Sequence, residues 1–517
     1  MSTPPGPDVL TALSSLTRLV IDVIEVTAGV RPTILFEGPG VAPTELRLQG
    51  SREVLTAEIL TAERRTLGSR LAARIPLLSS EWNGPLLPAR SGQYLVVARD
   101  QNGSRMSVVA PSRLPTPQLL PAVTRLTFTA VGGSLSVNLA PPLADRERGA
   151  LRQAALESDY RAAKFEPLNA VFFESFYGQN VSCNPLAIDR ALARIRPDIA
   201  RYWSVRDASV SVPAGAIAII DGSAEWCRIR GSARLLVVND WLRNRYRPRK
   251  PQTVLQTWHG TMLKKLALSR TRLGLRPAIA TLRESRRWSI LLAQNPHSRN
   301  VFRRAYAFAG PVWEEGYPRD DALITGDAAP IRDRLAIPAN VTVLLYAPTW
   351  RDDRPEAVDH LEVARFASLL GEGFVVLVRG HSRSLLPGET VKAAGVIDVT
   401  GYPDISDLFL AADALITDYS SVMFDFSVTG KPIYFFAPDL VHYREKLRGF
   451  YFDLLPVAPG PVVTEIGELV TAVRDRDQVQ RQFADKYRAW RERFNPNDDG
   501  QAAERVVLRL LAEGKIG

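Results

Sequence analysis

Residues 399–434, VTGYPDISDLFLAADALITDYSSVMFDFSVTGKPIY, predict the fold class of the chain more clearly than any other stretch. Ile405 and Phe409 have the spacing of one apolar helix face. Two short apolar runs, Ala414–Thr417 and Ile433–Phe436, are typical of strands that are buried on both sides. Because strands and helices alternate in this way where helices cover a parallel sheet, the stretch predicts an α/β fold.

The turn after the first of these strands carries polar side chains. Asp418 ends the strand, Ser420 and Ser421 stand where a helix N-cap belongs, and Gly430 closes the helix. The first turn of a helix has unpaired backbone N–H groups, and at the carboxyl edge of a parallel sheet such groups bind phosphate. A phosphorylated ligand is therefore the first hypothesis. The ordinary alternative is that Ser420 only caps the helix.

The rest of the chain divides into regions of different pattern. Its 517 residues exceed what one hydrophobic core can hold. Short β-type runs separated by Gly, Pro and Asn fill residues 16–140 and predict a small antiparallel sandwich without a catalytic constellation. Beyond Pro141, strands and helices alternate, which predicts two doubly wound Rossmann-like domains. The predicted division is 1–145 (β-rich accessory domain), 146–312 and 313–480 (the two Rossmann-like domains) and 481–517 (a C-terminal helical segment that packs back).

Composition and charge restrict the function classes. The formal net charge of +10 suggests an anionic partner, although genome composition explains the arginine content equally well. No stretch approaches about 18 uninterrupted apolar residues, so no membrane-spanning helix is expected. The first residues lack the pattern of a secretion signal, and Cys183 and Cys227 are the only cysteines, so a reduced cytoplasmic compartment is expected. Nucleic acid is the least favoured partner because no helix-turn-helix, zinc-finger or RNA-binding motif is found.

Two of the five histidines end apolar runs beside glycine. His259 precedes Gly260, with Lys264 one turn on, and His381 follows Arg379 by two residues. Histidine can accept a proton from a hydroxyl nucleophile near neutral pH, and glycine lets the backbone approach a ligand. An arginine with a histidine suits a phosphate whose charge grows as a bond breaks. The alternatives are a histidine that is satisfied within a turn and an arginine in a surface ion pair.

Another predicted strand, residues 341–346, leads to Thr349 and Arg351, which could both bind phosphate. A solvated turn is the alternative. Residues 316–321 lie at the predicted hinge between the two Rossmann-like domains, where a plain turn explains them equally well.

Several of these segments occur together in a known order. They are QTWHGTMLKKL (256–266), GYPRDD (316–321), APTWRD (347–352) and TDYSSVMFDF (417–426), with FFESFYG (172–178) as an entry motif and a closing segment at 439–461. With this set the chain resembles the CDP-glycerol glycerophosphotransferase family, the teichoic acid glycerol-phosphate primases and polymerases. The resemblance spans about residues 165–490 and leaves out the β-rich N-terminal part. Met262 and Ser382 depart from the family pattern, which usually has proline at both positions.

The resemblance implies a GT-B fold, in which an acceptor-side domain (146–312) and a CDP-polyol donor-binding domain (313–480) face a cleft, and a defined reaction. An acceptor hydroxyl attacks the glycerol-bearing phosphate of CDP-glycerol, and CMP leaves. By similarity His259 is the candidate base, and His381 contacts the donor diphosphate or assists the leaving group. The predicted substrate-binding residues are Gly260, Lys264, Thr349, Arg351, Arg379, Asp418, Ser420 and Ser421.

The same resemblance implies the partners. The donor is CDP-glycerol or a related CDP-polyol, and the acceptor is a lipid-linked polyol-phosphate chain. An anionic chain and an acidic membrane surface would both attract a basic protein, so a peripheral position on the inner face of the plasma membrane is expected. No acidic cluster has metal-ligand spacing, so no cofactor is assigned, and Mg²⁺ is kept open.

Three other functions stay open. A related transferase would use CDP-ribitol or another CDP-linked polyol, a difference of pocket shape that the sequence does not give. A sugar-nucleotide glycosyltransferase of GT-B fold would release UDP or GDP rather than CMP. A non-catalytic binding protein, with the β-rich domain as its working part, is disfavoured by the intact histidine, serine and arginine motifs at predicted strand ends.

Overall fold

The computed structural model describes residues 18–39, 43–60, 70–131, 134–242, 246–270, 273–349, 360–380, 393–440 and 449–517. Its internal contacts divide the chain into two compact units. The first unit consists mainly of the chain up to Ala144, and the second begins at Asp145.

The described part of the first unit is built from strands in mainly antiparallel sheets. In spatial order, the larger sheet contains Arg18–Val20, Arg105–Val109, Gly92–Arg99, Ser134–Ala140, Thr124–Val131 and Gln118–Leu120, and Glu45–Gln49 with Val54–Thr56 joins it beside Gly92–Arg99. The smaller sheet contains Val23–Thr27, Thr33–Pro39, Arg70–Pro76 and Glu58–Leu60, and Leu78–Ser79 pairs with Leu87–Pro88. Alternate residues of both sheets, among them Phe36 and Leu48, enter one apolar core.

One of the β-type runs in the sequence is 54–60, which predicts a single strand, and this prediction is wrong. The run from residue 54 to residue 60 is two strands, because the chain changes sheets at Ala57. Val54–Thr56 pairs with Glu45–Gln49 of the larger sheet, whereas Glu58–Leu60 pairs with Arg70–Pro76 of the smaller one.

The second unit contains two parallel sheets, which confirms the α/β prediction. The first, in spatial order, has seven strands: Ile217–Ile220, Ala200–Val205, Leu168–Glu174, Ala233–Val238, Thr253–Gln256, Ile290–Leu292 and Val312–Trp313. The second has six: Val396–Asp398, Phe374–Val378, Thr342–Tyr346, Ala414–Thr417, Ile433–Phe436 and Val462–Val463. Every described pairing in both sheets is parallel, and central strands such as Ala414–Thr417 are buried at each residue, as expected where helices cover both faces.

The helices of this unit occur between and after the strands. They are Ala150–Ala162, Cys183–Ile195, Ala224–Ser232, Leu275–Ser285, Pro296–Ala305, Asp321–Thr325, Ala329–Arg334, Val363–Leu370, Ile405–Ala411, Val422–Phe426, Ile466–Arg474, Arg476–Phe494 and Ala502–Ala512. Short 3₁₀ turns occupy Asp145–Glu147, Phe176–Gly178, Ala267–Ser269, Pro318–Asp320 and Ser427–Thr429. In the described ranges, no helix has both the length and the apolar character needed to cross a bilayer.

Two predicted domain boundaries, after residues 312 and 480, fall inside secondary-structure elements of the second unit. The first falls within strand Val312–Trp313 and the second within helix Arg476–Phe494. The first sheet therefore continues through Trp313, and the long C-terminal helix begins before residue 481. Asn295 at the end of the first sheet donates to the carbonyl of Phe494 at 2.7 Å, so this helix contacts the first sheet's side of the unit.

Candidate active site

His259 follows strand Thr253–Gln256 of the seven-stranded sheet. Its Nδ1 lies 2.7 Å from the carbonyl oxygen of Asn239. The imidazole stacks on Trp258, with ring centroids 5.1 Å apart and planes 10° from parallel. Because a carbonyl oxygen only accepts, Nδ1 carries the proton, and Nε2 of the neutral imidazole is an acceptor. The surroundings thus fix both the tautomer and the orientation that a general base needs.

Several groups act on the protonation of His259. Burial lowers its pKa below the ordinary value, while the carboxylate of Asp240 and the carbonyl of Asn239 act in the opposite direction. Arg319 lowers the pKa further and Asp425 raises it. The net lowering keeps the imidazole neutral at pH 7, which is the form that accepts a proton.

Gly260 brings the loop of His259 against the second sheet's serine turn. Its φ is +151°, and a Cβ at this position would lie 2.9 Å from Oγ of Ser421 and 3.1 Å from Cβ of Ser421. A φ of this value is strained for any residue with a side chain, and a Cβ here would also crowd Ser421, so glycine suits the close approach of the two segments. The residue after the candidate base therefore touches the predicted phosphate-binding serine.

Ser421 immediately precedes helix Val422–Phe426. It has φ −63° and ψ −13°, and its side chain makes no capping hydrogen bond. A capping serine has extended dihedrals and accepts from a backbone N–H two or three residues on, so Ser421 is not an ordinary cap. Ser420 and Ser421 are both half-buried. Since the helix has five residues, the anion site predicted here depends on the serine hydroxyls more than on a long helix dipole.

Asp418 positions the neighbouring loop. Its Oδ1 accepts from the backbone N–H of Thr349 at 2.8 Å and from that of Tyr419 at 2.5 Å. Asp418 is buried and Thr349 is half-buried. The aspartate therefore holds the loop after strand Thr342–Tyr346 beside the serine turn, and Thr349 lies at the same edge of the six-stranded sheet.

Arg379 and Lys264 have protein partners. The guanidinium of Arg379 donates to the carbonyls of Tyr402 at 2.8 Å and of Val399 at 3.4 Å, and burial lowers its pKa to about 10. Arg379 thus supports the turn before helix Ile405–Ala411. The backbone of Lys264 forms an isolated antiparallel β-bridge with that of Phe450. The predicted residues Arg351 and His381 lie outside the described residues.

The sequence interpretation missed a buried ion pair at this point. Nη2 and Nε of Arg319 lie 2.6 and 3.2 Å from the two carboxylate oxygens of Asp425, and both side chains are less than a tenth exposed. Nη1 of Arg319 lies 3.3 Å from the sulfur of Cys183. One signal was available, because Asp425 stands alone among the apolar residues VMFDF, and a buried carboxylate needs a cationic partner.

A second polar cluster lies beside this pair. Nε2 of Gln294 donates to Asp320 at 2.9 Å and to Asp498 at 2.8 Å. Asn495 donates to Asp498 at 3.0 Å, and burial raises the pKa of Asp498 to about 6. The cluster joins the first sheet's end, the linker and the C-terminal segment. Among the described residues, no group of three or more His, Cys, Asp and Glu side chains has the arrangement of a metal site.

Comparisons with known proteins give a consistent result. The family described as CDP-Glycerol:Poly(glycerophosphate) glycerophosphotransferase matches residues 160–512. The teichoic acid poly(glycerol phosphate) polymerase of Bacillus subtilis (strain 168) is 35% identical over 361 residues, which are 65% of this chain and 48% of that protein. The teichoic acid glycerol-phosphate transferase of Staphylococcus aureus (strain NCTC 8325 / PS 47) is 33% identical over 379 residues, 68% of this chain and 94% of that protein.

A solved structure of the wall teichoic acid polymerase TagF superposes with a TM-score of 0.65 at 32% identity, covering 70% of this chain and 94% of the solved one. The chain spans about half the length of the first curated relatives that it matches. The matched family region begins at residue 160 and includes every residue of the candidate site.

Proposed function

Because the chain belongs to the CDP-glycerol:poly(glycerophosphate) glycerophosphotransferase family, we propose that it transfers glycerol phosphate from CDP-glycerol to a hydroxyl of a polyol-phosphate acceptor and releases CMP. The observation that carries this proposal is the contact of Gly260 with Ser421. It places His259, whose Nε2 is free of the proton held at Nδ1, beside a serine whose side chain makes no capping hydrogen bond. Phosphoryl transfer depends mostly on positioning and charge stabilisation, and this arrangement supplies both.

The chemistry follows from the groups in place. Nε2 of His259 takes the proton of the acceptor hydroxyl as its oxygen forms a bond to the glycerol-bearing phosphorus. The bond from that phosphorus to the oxygen of CMP breaks, and CMP leaves with the electron pair. Ser420 and Ser421 donate hydrogen bonds to the donor phosphates.

Other roles in this mechanism rest on the motif resemblance. His381 and Arg351 would contact the diphosphate, with Lys264 and Thr349 beside it, while Arg379 supports the neighbouring turn. None of these roles requires a metal ion, and assays with Mg²⁺ and with a chelator test this.

We propose a GT-B arrangement for the second unit, with the two parallel sheets as its two Rossmann-like domains. The division near residue 313 is best placed after strand Val312–Trp313, and the segment from residue 481 belongs to the helix that starts at Arg476. The β-rich unit is proposed as an accessory domain outside the matched family region.

The proposed partners are anionic. A polyol-phosphate chain and an acidic membrane surface would both attract a chain of net charge +10. We therefore propose a peripheral position on the inner face of the plasma membrane, where a lipid-linked acceptor would be found. Sedimentation with vesicles tests this: binding to anionic vesicles that weakens with salt supports it, and full recovery in the supernatant at low salt contradicts it.

A donor panel tests the reaction. The protein is incubated with CDP-glycerol, CDP-ribitol or UDP-sugars and a lipid-linked polyol-phosphate acceptor, with Mg²⁺ or with chelator, and the released nucleotide is identified. CMP from CDP-glycerol is the expected product. CMP from CDP-ribitol alone would change the donor within the same reaction, and UDP from a UDP-sugar would replace the proposed function with glycosyl transfer.

Ser421→Ala is expected to weaken donor binding. A hydrogen bond to a charged group is worth about 1.5–3 kcal/mol, which corresponds to a rise of about 10- to 150-fold in the dissociation constant of CDP-glycerol. Isothermal titration of the donor measures it. Thr471→Ala is the matched control, since this exposed hydroxyl donates to the carbonyl of Gly467 in its own helix at 3.0 Å. An unchanged dissociation constant for the Ser421 variant would remove Ser421 from the phosphate site.

The pH profile tests the assignment of the base. A general base works in its neutral form, so activity is lost as pH falls through its pKa. Since burial lowers the pKa of His259 below 6.5, the acidic limb of kcat/KM is expected below pH 6.5. The control is that the protein recovers full activity after exposure to acid. If it does, an acidic limb of kcat/KM at or above pH 6.5 would contradict the environment described for this imidazole.

A further inference from the structure

We infer that the buried ion pair of Arg319 and Asp425 is a positioning element, which holds the loop of His259 against the Ser421 turn in the geometry required for transfer. The inference rests on the proposed reaction for its kinetic readout, and the spectroscopic readout below is independent of that reaction. Neither residue is placed in contact with the reacting atoms; both act through their neighbours.

The pair joins segments that belong to different sheets. Arg319 lies in the turn Pro318–Asp320, in the linker that follows the first sheet, while Asp425 lies in helix Val422–Phe426 of the second. The guanidinium meets the carboxylate with two hydrogen bonds, 2.6 and 3.2 Å long. A two-point contact of this kind fixes direction as well as distance. Asp425 follows Ser421 by four residues, so movement of the pair moves the serine turn.

The same arginine is tied to the histidine loop. Its backbone N–H donates to Oδ1 of Asn184 at 3.1 Å, and Nδ2 of Asn184 donates at 3.2 Å to the carbonyls of Thr257 and Trp258, the two residues before His259. A Cβ at residue 260 would lie 3.7 Å from Nη2 of Arg319. One residue thus connects the two segments: the backbone N–H of Arg319 reaches the histidine loop through Asn184, and its guanidinium reaches the helix that follows the serines.

Stability alone does not account for charges at this position. A buried ion pair loses so much hydration that apolar residues of similar volume often stabilise a fold equally well or better. Asp425 is surrounded in its helix by Met423, Phe424 and Phe426, all fully buried, so an apolar residue would suit the helix. The two-point contact provides orientation, which an apolar residue would not.

The pair also sets the charge around the imidazole. Among the described residues, Asp240, Arg319 and Asp425 are the charged groups that act on His259, and the last two shift its pKa in opposite directions. While the pair is intact, the two effects oppose each other. Neutralising Arg319 leaves the carboxylate of Asp425 without its main partner close to the base, and neutralising Asp425 leaves Arg319 with the more distant carboxylate of Asp320, 3.9 Å away.

Two single variants and their combination test the inference. In Arg319→Gln the remaining carboxylate is expected to raise the pKa of His259, so the acidic limb of kcat/KM moves to higher pH. In Asp425→Asn the remaining guanidinium moves it to lower pH. Both are expected to lower kcat by at least tenfold, and the double variant, in which both charges are absent, should return the limb toward the wild-type position.

The histidine can be followed without any turnover. Cε1-labelled histidine gives one NMR resonance for each of the five histidines, and His259→Ala assigns the signal. Opposite shifts of its titration midpoint in the two single variants support the inference even if the donor panel refutes the proposed reaction. Arg332→Gln and Asp413→Asn are the matched controls, because that Arg–Asp pair, 2.8 Å apart and about 30% exposed, lies elsewhere in the unit; neither should move the midpoint.

Three results would overturn the inference. The first is wild-type kcat in both single variants. The second is a shift of the histidine midpoint in the same direction in both, which a general loosening of the site would produce. The third is loss of activity only in proportion to the unfolded fraction, measured by melting of each variant at the assay temperature.

Discussion

Replacing His259 with alanine is expected to lower kcat by about 10²–10⁴-fold, the usual contribution of a positioned general base. Its Nδ1 is committed to the carbonyl of Asn239 at 2.7 Å, which leaves Nε2 to take the acceptor's proton. The donor phosphates are assigned to the serine turn, so the dissociation constant of CDP-glycerol should change by less than about threefold. Single-turnover CMP release and donor titration measure the two quantities.

Chemical rescue separates lost chemistry from lost structure in this variant. Added imidazole should restore part of the CMP release of His259→Ala, because the ring leaves a space beside Trp258 and Phe176, whose rings lie 5.1 and 5.6 Å from that of the histidine. Turnover equal to that of the wild-type protein would end the assignment of His259 as base. Loss of donor binding together with turnover would assign it to the phosphate site instead.

Asp425→Ala is expected to destabilise the second unit by about 3–5 kcal/mol, the usual cost of removing one partner of a buried ion pair. The substitution leaves the guanidinium of Arg319 buried with its main partner absent, since both side chains are less than a tenth exposed. Urea unfolding followed by tryptophan fluorescence reports this unit, because Trp82 is the one tryptophan of nine that precedes residue 145.

The matched control for this prediction is an exposed ion pair in the same unit. Arg228 and Glu225 are 2.6 Å apart and about half exposed, so Arg228→Ala should cost no more than about 1 kcal/mol. Equal effects of the two substitutions would show that Asp425 and Arg319 are not held in a desolvated pair.

The stretch 399–434 was predictable almost residue by residue, because its signals are local. The helix Ile405–Ala411, the strands Ala414–Thr417 and Ile433–Phe436, and the left-handed Gly430 at φ +72° all lie where spacing and turn chemistry place them. Strand Ala200–Val205 has no comparably clear local signal, because Arg201 interrupts its apolar pattern. In the fold, Arg201 forms an ion pair with Asp189 at 2.8 Å, a contact that cannot be predicted from the neighbouring residues in the sequence.

The site shows the same limit of sequence reasoning. His259, Gly260 and Ser421 could be selected because each stands at the end of an apolar run, and the carboxyl ends of parallel strands are where ligands bind. The ion-pair partner of Arg319 could not be identified in this way, because Asp425 is 106 residues away in the sequence. Arg379 was predicted to bind phosphate from its position at a strand end, and its hydrogen bond to the carbonyl of Tyr402 could not be read from that position.

The position of the bound donor tests the central claim most directly, namely that the serine turn and the histidine loop together form the phosphate-transfer site. We expect a crystal structure with CDP-glycerol to show a diphosphate oxygen within about 3.2 Å of Oγ of Ser421, with the glycerol-bearing phosphorus facing Nε2 of His259. A diphosphate bound away from Ser421, with His259 directed at neither phosphorus, would contradict the account.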